Sequence, residues 1–279
     1  MAALLALLSS ALWGSADFMG GVVARRLPPI AVVGWSQTAG LCAVTAVALA
    51  RGQLAAPGGW LGWSVLAGLA GASGLVAFYT ALSTGTMGVV SPLAALGVVV
   101  PVAGGLAAGD QPRALQVLGM VLGGAGAIAA GGPELSGRSL RSAAARSVLL
   151  ALTAGFCFGL ALLAIQRGAD SSPLLTMVGM RLTSVLVFAG IGLAVRSHGG
   201  VRPRDLPLIA ALGVMDVSAN LVFALASTRG MDSVVAVLGA LYPVVTVLLG
   251  AVVLKERLIP LQRVGVVVAL GGVALLAAS

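Results

Sequence analysis

The chain has 279 residues, of which 59% are hydrophobic and only 9% are charged. A soluble domain carries about a quarter charged residues, so this chain cannot dissolve its own surface, and most of that surface must face lipid. The net charge of +8 comes from basic residues set between apolar runs, with no aromatic-rich basic face to stack bases, which excludes a nucleic-acid partner.

An apolar stretch of about 20 residues spans the hydrocarbon core. Cutting the chain at its polar and Gly/Pro punctuation therefore predicts an all-α, polytopic protein of ten transmembrane helices. The first five segments are Ala2–Val23, Pro29–Ala50, Gly59–Leu82, Met87–Ala108 and Pro112–Ala130. A polar connector, 131–145, follows. The second five are Arg146–Gln166, Pro173–Val195, Leu206–Thr228, Ser233–Leu254 and Pro260–Ala278. The first segment has no basic n-region and its apolar run continues to Val23, so it reads as a membrane helix rather than a cleaved signal. Cys42 and Cys157 fall in apolar runs and form no CxxC pair. The lone histidine, His198, sits in a polar connector and removes His-based metal sites. No metal or cofactor is expected.

The two sets match each other. Leu4-Leu5-Ala6-Leu7 aligns with Leu149-Leu150-Ala151-Leu152, Trp13-Gly14 with Phe158-Gly159, Pro28 with Pro173 and Gly34 with Gly179. Near each end, Leu115-Gln116-Val117-Leu118-Gly119 aligns with Leu261-Gln262-Arg263-Val264-Gly265. Matched Pro, Gln and Gly columns at a near-constant displacement point to an internal duplication, with repeats 1–130 and 146–279. An odd number of helices per repeat inverts the second repeat in the membrane, an architecture that recurs in secondary transporters. The charges agree with inversion. Connectors after odd-numbered segments hold Arg25, Arg26, Arg138, Arg141, Arg146, Arg196, Arg202, Arg204, Lys255, Arg257 and Arg263, against Arg51, Arg113, Arg167 and Arg229 after even ones. The positive-inside rule then puts the first group in the cytoplasm and both termini outside.

The stretch from Leu254-Lys255-Glu256-Arg257 through Pro260-Leu261-Gln262-Arg263 to Gly265 resembles the hairpin before the last helix of EamA-type transporters of the drug/metabolite transporter superfamily. Ala11-Leu12-Trp13-Gly14-Ser15-Ala16-Asp17-Phe18 resembles the first helix of that family, and Met180-Arg181-Leu182 its arginine-containing second helix. The resemblance covers essentially the whole chain as two EamA repeats. It implies a ten-helix carrier with a central cavity between inverted halves, moving amino acids, metabolites or drugs, often outward. The first repeat departs from the pattern: Asp110 stands in the column of Glu256, and Ser36 in that of Arg181.

Ionisable side chains inside a membrane helix are costly and are functional candidates by default. Asp17 shares a helix face with Ser10, Trp13 and Gly14 and is suited to bind a cation or accept a proton; the plainer alternative is pairing with Arg25. Asp216, with Asn220 one turn on, forms either part of a solute pathway or a polar clamp between helices. Arg181 has the planar fork for a carboxylate or phosphate, although a buried arginine normally requires a counter-charge, here Asp216 or Asp17. Gln37, Tyr79 and Trp35 are weaker candidates for the cavity wall, and Trp60 and Trp63 read as an interfacial belt. Pro92, Pro101 and Pro243 interrupt equivalent helices and are candidates for gating. The pairs Gly105/Gly109 and Gly155/Gly159 have the spacing of close helix packing.

The expected function is a secondary active transporter of small metabolites in the cell (inner) membrane, proton-coupled and working by alternating access, as monomer or homodimer. No nucleotide-binding loop of the G-x-x-x-x-G-K-[ST] type is present to drive it. The competing readings are a non-transporting membrane scaffold or accessory subunit and, behind it, an intramembrane lipid-modifying enzyme. That enzyme would need a metal-binding or nucleophilic constellation that the sequence does not display, so the chain is not expected to be an enzyme.

Overall fold

The computed structural model describes residues 1–53, 55–84, 87–131, 141–195, 199–253 and 260–278. His198, most of the connector (132–140) and the hairpin residues 254–259 lie outside them. The described residues form α1 (Ala2–Ala24), α2 (Pro29–Ala50), α3 (Trp60–Thr84), α4 (Met87–Ala95), α5 (Val99–Ala107), α6 (Ala114–Gly131), α7 (Arg141–Ala169), α8 (Pro173–Val195), α9 (Leu206–Ser227), α10 (Asp232–Gly239), α11 (Tyr242–Val253) and α12 (Pro260–Ala278). No strand occurs among them. The reason is general: lipid offers the backbone no hydrogen-bond partner, so a spanning segment must satisfy its own N–H and C=O groups. Proline opens α2, α8 and α12, where its missing N–H costs nothing. Seven helical stretches are long and apolar enough to cross a membrane, and large apolar side chains such as Leu193, Val252 and Val267 stand on the outer surface. This is a multi-pass membrane protein.

Two expectations change. The sixth membrane span starts at Arg146 as expected, but its helix begins earlier, at Arg141, so that residues 141–145 of the connector are helical. The fourth and ninth segments are not continuous. The fourth breaks into α4 and α5 around a 3-10 turn at Leu96–Val98, and the ninth into α10 and α11 at residues 240–241. A proline follows each break. Pro101 and Pro243 lack the N–H that would bond the carbonyl four residues back and crowd that carbonyl. The residue four back is Gly97 in one repeat and Gly239 in the other. Pro92 sits within α4, its side chain outside the described part, and the helix does not break there.

Helices pack antiparallel across the two halves through small residues, as membrane helices do. Along α1 and α9, Gly230 faces Ala2 and the Ser9 hydroxyl donates to the Ala219 carbonyl at 2.8 Å. The same pattern joins α3 and α7, where Gly59 faces Ser171 and Gly74 faces Phe158. In α2 and α8, Gly34 faces Phe188 while Gly40 lies beside Arg181. Helices α6 and α12 meet at Gly126/Ala269 and Gly123/Gly272. Gly155 and Gly159 let α7 approach the backbone of α4 and of Gly97, as their spacing predicts, and Gly105 packs against Asp232 and Ser233. Gly109 does something else: at φ 105° it ends α5.

The Gly97 crossing is a stringent packing point, because a Cβ there would press into the Gly155 carbonyl and neither backbone can yield alone. Gly97→Ala is expected to cost about 1–3 kcal/mol, read as a lower thermal midpoint of the detergent-solubilised protein. Gly190→Ala, whose Cβ would meet nothing within 4 Å, is the neutral control.

Candidate functional site

The deepest polar cluster forms where α2, α8 and α9 cross. A Cβ on Gly213 would press into the Ser36 carbonyl, and one on Gly40 would lie 3.0 Å from the Gly213 carbonyl. These two glycines bring the backbones of α2 and α9 close enough for short polar side chains to meet. Asp216 stands ~15 Å from either end of α9 by helix rise, so the cluster lies near mid-depth. Arg181 is 1% exposed, and its Nη1 sits 2.9 Å from Asp216 Oδ2. The same Nη1 donates to Gln37 Oε1, and Gln37 Nε2 reaches Asp216 Oδ2 at 3.5 Å. Asn220 Nδ2 donates to Asp216 Oδ1 at 3.1 Å and to its backbone carbonyl at 2.7 Å. Arg181 thus takes Asp216, not Asp17, as its counter-charge.

Beside this cluster lies a cavity of about 70 Å³, whose lining combines Asp17, Arg181, Asp216, Asn220 and Tyr242 with Trp13, Phe158, Leu75 and Leu162. That volume holds a handful of waters. Asp17 is 8% exposed and makes no ion pair, with Arg25 or any other cation, among the described residues. Arg181 Nε and Nη2 and the Tyr242 hydroxyl are buried without a hydrogen-bond partner among the described residues. An acid, two guanidinium donors and a phenol therefore remain uncommitted at one cavity. The α10/α11 break opens onto it through Gly239 and Ala240. Helix α11 is held against α1 there, with the Thr246 hydroxyl donating to the Gly14 carbonyl at 3.1 Å.

Not every residue expected at the cavity reaches it. Trp13, Asp17, Arg181, Asp216 and Asn220 line it. Gln37 stands behind, bracing the ion pair. Tyr79 is packed in the core beneath α1, its ring over Gly20. Trp35 is 39% exposed on the outer surface. Tyr242 and Phe158 escaped the sequence reading, although a tyrosine directly before the helix-breaking Pro243, and a phenylalanine in the column of Trp13, were signals for both.

A second polar group closes the end of the bundle where α7 ends and α10 begins. Arg167 Nη1 lies 3.4 Å from Asp232 Oδ2, and its Nη2 donates to the Gly104 carbonyl at 2.7 Å. Gln166 Nε2 donates to the Asp232 carbonyl at 2.9 Å. Gly109 ends α5 with a left-handed cap, in which Asp110 N–H bonds the Gly105 carbonyl at 3.0 Å. That turn aims Asp110 Oδ2 at the Ser233 N–H, 2.8 Å away, capping α10 from the other half of the chain.

The comparisons with known proteins agree with this architecture. A crystal structure of another protein, one of 23 similar solved chains, aligns with 98% of this chain and 95% of its own at a TM-score of 0.77 and 20% identity. At that identity the likeness concerns the fold alone. No curated protein matches the chain. The profile described as "EamA-like transporter family" matches twice, over residues 1–131 and 145–278. With nearly the whole sequence covered by two copies of one transporter repeat, the chain belongs to the EamA-like transporter family of the drug/metabolite transporter superfamily.

Proposed function

We propose that the chain is a proton-coupled secondary carrier that exports a small metabolite from the cell by alternating access. Its ten membrane helices form two inverted repeats in the inner membrane. The observation that carries the reading is the mid-depth cavity, which Asp17, without an ion pair among the described residues, lines together with the Arg181–Asp216 pair. Asp17 is the proton site, and the free Nε and Nη2 of Arg181 receive a carboxylate or phosphate of the solute. Trp13 and Phe158 cover its apolar body. The packing supports inversion: exchanging the halves turns the α1/α9 pair into α7/α3 and returns α2/α8 and α6/α12 to themselves. A scaffold would leave its buried charges mutually satisfied, and Asp17 is not.

Alternating access requires the Arg167–Asp232–Asp110 group to open, with the breaks at Gly97 and Gly239 as hinges. Ser233 is buried beneath that group. In a background lacking Cys42 and Cys157, Ser233→Cys is expected to react with a membrane-impermeant maleimide about fivefold faster when Arg167→Gln is added, the equivalent of one partly exposed ion pair. An unchanged rate would show that the group is not a closure.

The proposal as a whole is tested in proteoliposomes loaded with a panel of amino acids, organic anions and cationic drugs. An imposed pH gradient is expected to drive one class against its own gradient. If nothing moves beyond empty liposomes, with folded protein verified, the carrier reading fails for those classes.

A further inference from the structure

A second, larger cavity lies at the opposite end of the bundle from the Asp110–Asp232 group. It is a cleft of about 830 Å³ where α1 passes into α2 and α8 into α9. Its lining includes Arg26 from the first repeat and Arg202 and Arg204 from the second, with Asp205 the only acid among the described residues. Asp205 Oδ2 is already engaged, accepting from the backbone N–H of Arg202 at 3.1 Å. None of the three guanidinium groups makes an ion pair among the described residues. Gly199 and Gly200, at φ 70° and 71°, turn the chain around the cleft as only glycine does readily, and Gly200 has open space where a side chain would stand.

Three guanidinium groups against one carboxylate leave this concave space with an excess of positive charge, a receptor for a phosphate group, which arginine binds through paired N–H donors. The surroundings select its source. The cleft lies at the ends of helices long and apolar enough to span a membrane, and aliphatic side chains stand among its basic ones. Val23, Leu27 and the exposed Leu208 line it, with Leu206 and Ile30 exposed close by in sequence. A free phosphate has no use for apolar neighbours, whereas an acyl chain descending from a headgroup does. We infer that this cleft binds the phosphate headgroup of an anionic phospholipid, which bridges the two repeats at their basic end. The inference does not depend on the transported solute.

The test titrates the purified full-length chain in neutral detergent with phosphatidylglycerol or phosphatidylcholine and counts retained lipids by native mass spectrometry. Wild type is expected to retain phosphatidylglycerol selectively. Arg202→Ala/Arg204→Ala is expected to weaken it about 30-fold. Arg51→Ala/Arg229→Ala, which removes the same charge at the other end, is expected to leave it unchanged. Phosphatidylglycerol but not phosphatidylcholine is also expected to raise the wild-type thermal midpoint, a readout that needs no variant to fold. Equal retention of both lipids, or an equal loss in the two charge-matched variants, would overturn the site. Millimolar inorganic phosphate displacing the lipid and giving the same thermal shift would overturn the lipid assignment in favour of a soluble phosphate.

Discussion

Removing either partner of the central ion pair is expected to destabilise the protein by about 3–5 kcal/mol, and removing both together is expected to restore most of that loss. The pair is deeply placed: Arg181 is 1% and the Asp216 side chain 14% exposed. Losing one charge leaves the other desolvated and unpaired, which costs more than the pair contributes. The two single variants should differ in a definite order. A guanidinium cannot shed its proton in a protein, so Asp216→Leu strands a permanent charge with only Gln37 beside it. A carboxyl has a neutral form, and Arg181→Met leaves Asp216 with Asn220 still donating, so its cost is the smaller one. The double variant, Arg181→Met/Asp216→Leu, should melt near wild type while transporting nothing. Thermal midpoints of the four proteins in one detergent check this. Additive losses would show that the two residues are not a unit.

Much of this arrangement is legible in the residues because membrane physics is strict. Length and hydropathy mark the spans, and an ionisable residue within a span is rare enough to name Asp17, Arg181 and Asp216 without a structure. Helical spacing ties Asn220 to Asp216, and their hydrogen bonds bear that out. What is not legible depends on which helices cross and where. Arg181 had two acids to choose from, and the choice follows from the α2/α9 contact at Gly40 and Gly213, two glycines among 40. Three prolines looked equivalent as helix breakers, and each has a glycine four residues before it, yet the chain breaks before Pro101 and Pro243 and not at Pro92. Arg167 and Asp232 are 65 residues apart, and nothing local announces their meeting. Tyr79 and Trp35 carried the right chemistry, but the helix faces that present them turn to the core and to the outer surface.

The second large effect concerns Asp17. Asn keeps the size and polarity of the side chain and removes the proton it can exchange. Asp17→Asn is therefore expected to abolish gradient-driven accumulation while leaving solute counterflow near the wild-type rate. Arg181 and the apolar walls of the cavity remain to bind the solute, and only the coupling is lost. Because Asp17 makes no ion pair among the described residues, its neutralisation strands no partner, and the variant is expected to fold as well as wild type. This contrasts with the single variants of Arg181 and Asp216, where fold and function are expected to fail together.

In the proposed mechanism one acid at the cavity links solute movement to a proton. The most direct test is to add the transported solute to proteoliposomes holding a pH-sensitive dye, with no gradient imposed, for wild type and Asp17→Asn. A luminal pH change is expected to accompany solute entry in wild type and to be absent in the variant, although solute still exchanges. Solute movement with no pH change in wild type, or the same change in both proteins, would contradict it.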